Sequence, residues 1–469
     1  MVVFPGCGLP KTGGFGEGGE DSGLSSSRVE LYSAQSTASK PADPMTGPFK
    51  LAACLILTGL VAGRAMAAGE IVKYESQRLV LHTDVAPATA AILLRAFESA
   101  WKTWVREFGS PPAGNDGKPL RITGCVMVAP EKFSDAGLLP KSIERFLGSE
   151  HPGKHQGNRF WMKDRSSDYY RRHLMIHEAT HCFMTARGGT MLPVWYLEGT
   201  AELFATHVTD ASSGQFRFGV MPTDTSQLPG WGRLGMLRRD VRRGRLPRFA
   251  MLSGLWKTEH EKISTYAWSW AYCRFLASHP VYGSGFRALG KHLSDGRFDA
   301  ALERSFGSRS DALQFEWRLA ARDMVPGFDF QRSAIRFVRS RPLEADGTRT
   351  VVVADRGWQS TGVRVEKGRG LKVVADGRFT LARKPRPWIS TADGISFRYH
   401  AGLPLGRLVG VVQPDRVISD TPPRVVSLGR DGRLLPRTSG TLFLRLNDFL
   451  SELADNTGMV TVEIRNAKR

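Results

Sequence analysis

His177 and His181 stand four residues apart in the stretch HLMIHEATHCFM, with Glu178 beside the first of them. On a helix such residues stack on one face, so two imidazoles can offer ring nitrogens to one metal ion while Glu178 turns toward an adjoining cleft. A catalytic zinc needs a third protein ligand and an open fourth position, and a second helix packed on the first is the natural source. Twelve residues after His181, Pro193 opens PVWYLEGTAELFA, where Glu198 is followed by small residues. Gly199 and Ala201 predict that this helix approaches the first closely and brings Glu198 to the metal. Glu202, one turn on, shares that face and can hydrogen-bond a ligand histidine from behind, fixing its tautomer. The chemistry such a set performs is hydrolysis. Zinc lowers the pKa of a bound water from about 15.7 to roughly 7, which brings proton removal within reach of a nearby carboxylate.

The pairing of HEATH with WYLEGTAEL resembles the gluzincin zinc metallopeptidases, which join a histidine-glutamate-x-x-histidine helix to an E-G-x-A helix, as in the peptidase MA-like group. The later stretch STYAWSWAYCRFL (264–276) resembles the tyrosine-led helix of those families and a Y-A-x-S-W segment of the bacterial domain of unknown function 1570. The resemblance runs from Ile71 to about Met324 and rests on these three motifs in order. It implies an α+β zincin-like metallopeptidase domain in which His177, His181 and Glu198 ligate zinc. Glu178 would take the proton from the zinc-bound water and return it to the leaving amine. Tyr266, 68 residues beyond Glu198, would donate a hydrogen bond to the developing oxyanion. A tyrosine that merely packs is the other reading of Tyr266. No upstream signature for a substrate amine is present, so aminopeptidase specificity is not implied. His173 reads as a support of the helix, with a competing ligand role as the other reading, and Trp268 and Trp270 read as core.

The elements that must position these residues follow from periodicity. From Ile71 to about Pro130 the pattern alternates strand, helix, strand, with ATAAILLRAFESAWKTWVREFG carrying apolar residues at helical spacing. A loop-rich stretch is expected to about Arg165. Helices dominate from Ser167 to about Met324, including one over Tyr266 to Ala277. Near Ser333 the texture changes to short Val-rich runs punctuated by Gly and Pro, such as TRTVVVAD, GRLVGVVQPD and TLFLRLND, which predict an all-β sandwich. The expected domains are therefore 68–332, zincin-like, and 333–469, a β-sandwich.

Within the second domain, SGTLFLRLNDFLSELADNTGMVTVEI resembles the closing hairpin of calcium-dependent galactose-binding bacterial lectins, and the likeness extends from about Trp358 to Ile464. By that resemblance Asp448, Asp455 and Asn456 would supply side-chain oxygens to Ca2+, with the carbonyls of Glu452 and Leu381 completing the shell, a donor set that suits a hard cation. The loop between Trp388 and Pro404 does not reproduce the sugar-contacting polar residues of that family. A pair of turns holding no ion is the other reading of the same residues.

The chain's 65 Lys and Arg against 45 Asp and Glu give a formal charge of +20 over 469 residues. No nucleic-acid module is recognisable, so this balance reads as a solvated basic surface suited to an anionic envelope glycan or lipid rather than to specific nucleic-acid binding. Residues 1–44 are Gly, Ser and Pro rich and read as disordered or as a mis-annotated extension. Residues 45–67 carry a basic start, an apolar run and Ala65-Met66-Ala67, a secretory signal too short to anchor the mature chain in a membrane. The expected location is accordingly periplasmic or extracellular. Beyond that segment lie Cys125, Cys182 and Cys273, read as free thiols with no disulfide framework.

Together these readings describe an exported zinc-dependent metallopeptidase that hydrolyses peptide bonds, with a lectin-like module for glycan attachment. A hydrolase of peptidoglycan peptides or another amide shares the same chemistry. The reading from another class is a non-catalytic, zinc-stabilised carbohydrate-binding or adhesion protein.

Overall fold

A computed structural model describes residues 69–111, 113, 117–148, 151–186, 193–248, 262–415 and 423–467. The segment expected to direct secretion, residues 45–67, and the residues before it lie outside the described residues. The protein is mixed α/β with a β-rich C-terminal region.

The N-terminal sheet has the order β1 (Val72–Glu75), β2 (Leu79–Thr83), β3 (Ile122–Met127), β5 (Arg159–Lys163), β4 (Gly153–Gln156). Strands β2, β3 and β5 run parallel, and the two outer strands pair antiparallel. Side chains alternate across it as the pleat requires. Leu81, Ile122, Phe160 and Met162 join the main helical core, while Cys125, Met127 and Trp161 face a smaller cluster with Phe133 and Ile143. Those last two belong to α2 (Pro130–Asp135) and α3 (Lys141–Phe146). The first expected strand is thus a β1–β2 hairpin, and the expected loop to Arg165 holds two short helices and the β4–β5 hairpin. Elements of four to six residues, with His, Lys and Gly among the apolar positions, are too short for periodicity to show.

Helix α1 (Pro87–Phe108) packs its apolar stripe, Leu93, Phe97, Trp101 and Trp104, into the main core. Helix α4 (Asp168–Thr185) starts at Ser167, whose hydroxyl accepts the Tyr170 backbone N–H at 3.2 Å, a side-chain cap. From His173 to Met184 every residue is buried, so this is a central helix rather than an amphipathic surface one. Helix α5 (Val194–Ala205) lies against it, followed by α6 (Arg233–Arg242) and α7 (Ile263–Ser278). A Cβ on Gly199 would come within 2.5 Å of the Ser269 carbonyl, so Gly199 admits α7 and not α4, against the expectation from sequence. The cause is helical rotation: Glu198 and Glu202 occupy the face toward α4, and the next position points about 100° away.

Helices α8 (Gly283–Leu289), α9 (Phe298–Phe306), α10 (Ser310–Asp323) and the short α11 (Phe330–Ser333) lead to the β-rich region. Its larger strands form two sheets. In one, β16 (Leu408–Pro414), β19 (Gly440–Leu446) and β10 (Gln359–Val365) are neighbours; in the other, β9 (Thr348–Val353), β20 (Thr457–Asn466) and β11 (Leu371–Asp376) are. Inward residues of both, among them Val363, Leu442, Leu444, Val373, Val460 and Val462, share one core. The opposite face of β19 is covered by the helical region. Phe443 packs with Phe315 and Leu319 of α10, and Arg445, 1% exposed, lies over Trp358 and 3.2 Å from Asp323. Burial alone would raise the Asp323 pKa, but Arg445, His400 and Arg322 together outweigh it and hold the carboxyl at about 2. Among the described residues no helix is long and apolar enough to cross a membrane.

Candidate metal centre and cleft

The two histidines expected from spacing alone present their Nε2 atoms 3.2 Å apart. Glu198 Oε2 lies 3.2 Å from His177 Nε2 and 3.3 Å from His181 Nε2. Three donors about 2.0–2.1 Å from one tetrahedral ion stand about 3.3 Å from each other. The triangle therefore has the dimensions of one face of a zinc coordination sphere, and its two-imidazole, one-carboxylate composition suits that ion. Among the described residues it is one of two His/Glu groups that could hold a metal.

The second group, His173, His177 and Glu202, has its carboxylate already engaged. Arg233 donates from Nε to Glu202 Oε2 at 2.9 Å and from Nη2 to Oε1 at 2.8 Å, a buried bidentate pair. A cation placed there would meet a guanidinium. Glu202 instead reaches His177 Nδ1 from behind at 3.3 Å, which leaves Nε2 facing the triangle. His173 Nε2 lies 3.3 Å from Glu202 Oε2, and among the described residues neither of its ring nitrogens makes a hydrogen bond.

Charge within this cluster is balanced by contact. Burial opposes a charge on His177, but Glu198 and Glu202, one at each side of the ring, outweigh it and hold the imidazole protonated well above its ordinary range. Burial likewise opposes ionisation of Glu198 and Glu202. His181 and His177 for the former, and chiefly Arg233 for the latter, keep both carboxyls far below the usual carboxylate range. A metal ion takes the place of such ligand protons, so binding here releases them and strengthens as pH rises.

Glu178 does not join the triangle. It is buried under the edge strand β4, where a Cβ on Gly153 would fall 2.4 Å from its Oε1, so only glycine leaves room for that carboxylate. His155, two residues along β4, stacks on His181 with ring centroids 4.6 Å apart, and its Nδ1 lies 3.8 Å from Glu178 Oε2. Burial, against the pull of Glu178, holds the His155 pKa below its ordinary value. Tyr266, near the start of α7, has its ring 6.4 Å from that of His177. Burial first, then the charges of Glu198, Glu178 and Glu202, push its phenol well above the ordinary range, so it stays a donor. These groups line one cleft of about 590 Å³ that also exposes Tyr170, Lys154 and Arg165.

Sequence reasoning thus named the triangle, Glu178, Glu202 and Tyr266, and the structure brings all six to one cleft. It missed Arg233, Gly153 and His155. None of these carries a local signal, since they reach the site from α6 and from β4, elements apart from the two ligand helices.

In the β-rich region the expected calcium residues are only partly joined. Asp448 Oδ2 accepts from Asn456 Nδ2 at 2.8 Å and Asp448 Oδ1 accepts the Phe449 N–H at 2.7 Å. Asn456 Nδ2 also donates to the Ala354 carbonyl, which leaves Asn456 Oδ1 buried with no donor. Burial raises the Asp448 pKa to about 6. An orphaned amide oxygen beside a buried carboxyl is a donor set that fits a hard cation. Asp455 Oδ2 accepts the Arg383 N–H at 3.4 Å, so its loop meets the chain two residues past Leu381. Arg398 donates to both oxygens of the Glu452 side chain at 2.7 Å; the expected ligand there is the main-chain carbonyl, which this pair does not involve.

No family model matches the chain, and no curated protein does. Two solved structures are similar to parts of it. The EclA N-terminal domain, a PllA-like lectin, is 18% identical, with 26% of this chain covering 100% of that one at a TM-score of 0.21. The IMPa metallopeptidase in complex with T-antigen is 13% identical over 58% of this chain, at a TM-score of 0.17, and the chain spans 27% of its length. TM-scores this low define no common fold.

Proposed function

We propose that this chain is an exported zinc-dependent metallopeptidase of gluzincin type, its helical region a zincin-like domain and its C-terminal region a lectin-like β-sandwich. The observation that carries the reading is the triangle of His177, His181 and Glu198 at 3.2–3.3 Å, with Glu178 beside it and the Glu202–Arg233 pair behind it. Zinc held there would polarise a substrate carbonyl and acidify a water.

The remaining work falls to the chain's own side chains. Glu178, seated under Gly153, would accept the proton of the attacking water and deliver it to the leaving amine. Tyr266 donates to the oxygen on which negative charge develops, a contribution typically of a few kcal/mol. Among the described residues strand β4 ends the sheet, an edge on which an extended peptide would pair across the cleft. Glu202, fixed by Arg233, holds the His177 ring in register.

Purified protein should contain about one zinc and cleave an unfolded polypeptide, and Glu178→Gln should stop cleavage with zinc content unchanged. Cleavage that survives this substitution defeats the proposal. Zinc with no turnover in the wild type would favour the non-catalytic binding protein instead. The C-terminal region is proposed to hold Ca2+ at Asp448 and Asn456 and to attach the enzyme to a glycan, supported by the orphaned Asn456 oxygen. Export is proposed from residues 45–67 and is checked by the N-terminal sequence of the protein recovered from the periplasm or medium.

A further inference from the structure

The cleft's Lys154, Arg165 and Arg233 match Glu178, Glu198 and Glu202 in number but not in place, and where they fail to pair points to what it takes. Tyr170, His173, His177 and His181 follow one another at helical spacing along the face of α4 that lines the cleft, so that face marks the cleft's direction. At its far end Arg165 lays its guanidinium over the Tyr170 ring, 5.4 Å from the centroid, and Tyr170 in turn stacks on His173 at 5.6 Å and 13°. The aromatic contact holds Arg165 in place without neutralising it.

The nearest carboxylates in sequence are unavailable to it. Arg171 takes Asp164 through Nε and Nη2 and takes Asp168 through Nη1. Inside the cleft Glu202 is committed to Arg233 and Glu198 to the two histidines. Arg165 is half-buried and makes no hydrogen bond or ion pair with any described residue. Lys154, over the Phe146 ring at 4.3 Å, is a second cation of the cleft in the same condition. A fixed, partly desolvated guanidinium with no counter-charge is a recognition element for a carboxylate.

We propose that this end of the cleft is a specificity subsite for an acidic side chain of a peptide substrate. Tyr170 precedes His177 by seven residues, about 10 Å along the helix, which an extended peptide covers in about three residues. The acidic residue therefore lies about three positions from the bond cleaved. This rests on the peptidase reading for the identity of the ligand, and on Arg165 alone for the charge.

The test uses the full-length zinc-loaded Glu178→Gln protein, which retains the cleft, and labelled peptides in which one Asp is moved along a neutral sequence. Fluorescence anisotropy should show one position where Asp binds about tenfold or more tighter than Asn. Arg165→Glu should abolish that preference and transfer it to Lys at the same position, while Arg165→Lys keeps part of it; zinc content and thermal melting confirm that both variants fold. Equal binding of Asp and Asn peptides, or a preference unchanged in Arg165→Glu, overturns the subsite. So does preferential capture of an acidic oligosaccharide of equal charge in place of the peptide. Wild-type cleavage with no acidic preference would retain the peptidase and remove the subsite. Arg165-dependent binding without wild-type cleavage would do the reverse.

Discussion

Glu198 and Asp448 are both carboxylates withdrawn from solvent, one between helices and the other in a turn of the β-rich region, and their surroundings push them in opposite directions. Around Glu198 two imidazoles lie at 3.2–3.3 Å and Arg233 stands behind Glu202, so ionisation is favoured in spite of burial. Asp448 has an amide and a backbone N–H as its direct donors, and burial carries its pKa to about 6. The helical site contains its own positive charge, distributed over groups that hold donor atoms at coordination distance. In the β-rich site the nearby Arg398 is already paired with Glu452 and does not offset burial, so a cation would change its energetics more than its shape.

The sharpest break between the two comes from Glu178→Gln. It should reduce turnover by about 10³-fold, the usual range for a positioned general base, while zinc measured by mass spectrometry stays stoichiometric. An equal loss of zinc and activity would mean that Glu178 serves the metal rather than the proton. Nothing done to Asp448 should alter the rate on a small soluble peptide.

The next largest effect is thermodynamic and belongs to Asp448. Its folded pKa of about 6 lies above the ordinary 3.8, so the folded protein holds this proton more tightly than the unfolded chain does. That contribution is complete below about pH 4 and is lost as pH rises through about 6. By pH 7 the loss is about 3 kcal/mol, since each pKa unit is worth about 1.4 kcal/mol. In chelator, the melting temperature of wild type relative to Asp448→Asn should fall by a few degrees between pH 4.5 and 7. Calcium should restore it at pH 7 and do little at pH 4.5. Absence of both effects would leave the Asp448–Asn456 pair as a turn without an ion.

Arg233→Met tests the built-in charge of the first site. Leaving Glu202 buried without its guanidinium should loosen the His177 ring and weaken zinc by about 10- to 100-fold in competition with a chelator, the range typical of partners behind a metal ligand. The same substitution should not change the calcium response.

What the sequence revealed follows the same division. His177, His181 and Glu198 were legible because helical repeat fixes which side chains share a face, and Glu202 followed from one more turn. Arg233, 31 residues beyond Glu202, reaches it from a different helix, and no periodicity links the two. In the β-rich region Asp448 and Asn456 were legible as neighbours across a turn, whereas the Arg398–Glu452 pair spans 54 residues, a contact no local pattern encodes. Strand β19 makes the point a third way. Its alternation reads as one buried and one solvent face, yet Phe443 and Arg445 on the second face are buried against α10, Asp323 and Trp358. Periodicity gives the faces of an element and leaves open what covers them.

Gly153→Ala is the smallest perturbation, a single methyl, and it probes the point where the sheet touches α4. The added Cβ would lie 2.4 Å from Glu178 Oε1 and 2.9 Å from the carboxyl carbon, far inside contact distance. Either β4 lifts away from α4 or the Glu178 carboxylate turns. Both displace the base relative to a peptide paired with β4, and a shift of order 1 Å costs up to about 10²-fold when orientation governs the rate. A loss of about tenfold in kcat is expected, with zinc affinity unchanged because the His177–His181–Glu198 triangle is not touched. Should the variant lose zinc as well, β4 would be supporting the metal ligands through the His155–His181 stack, and the separation drawn here between the metal's holders and the proton's carrier would not hold.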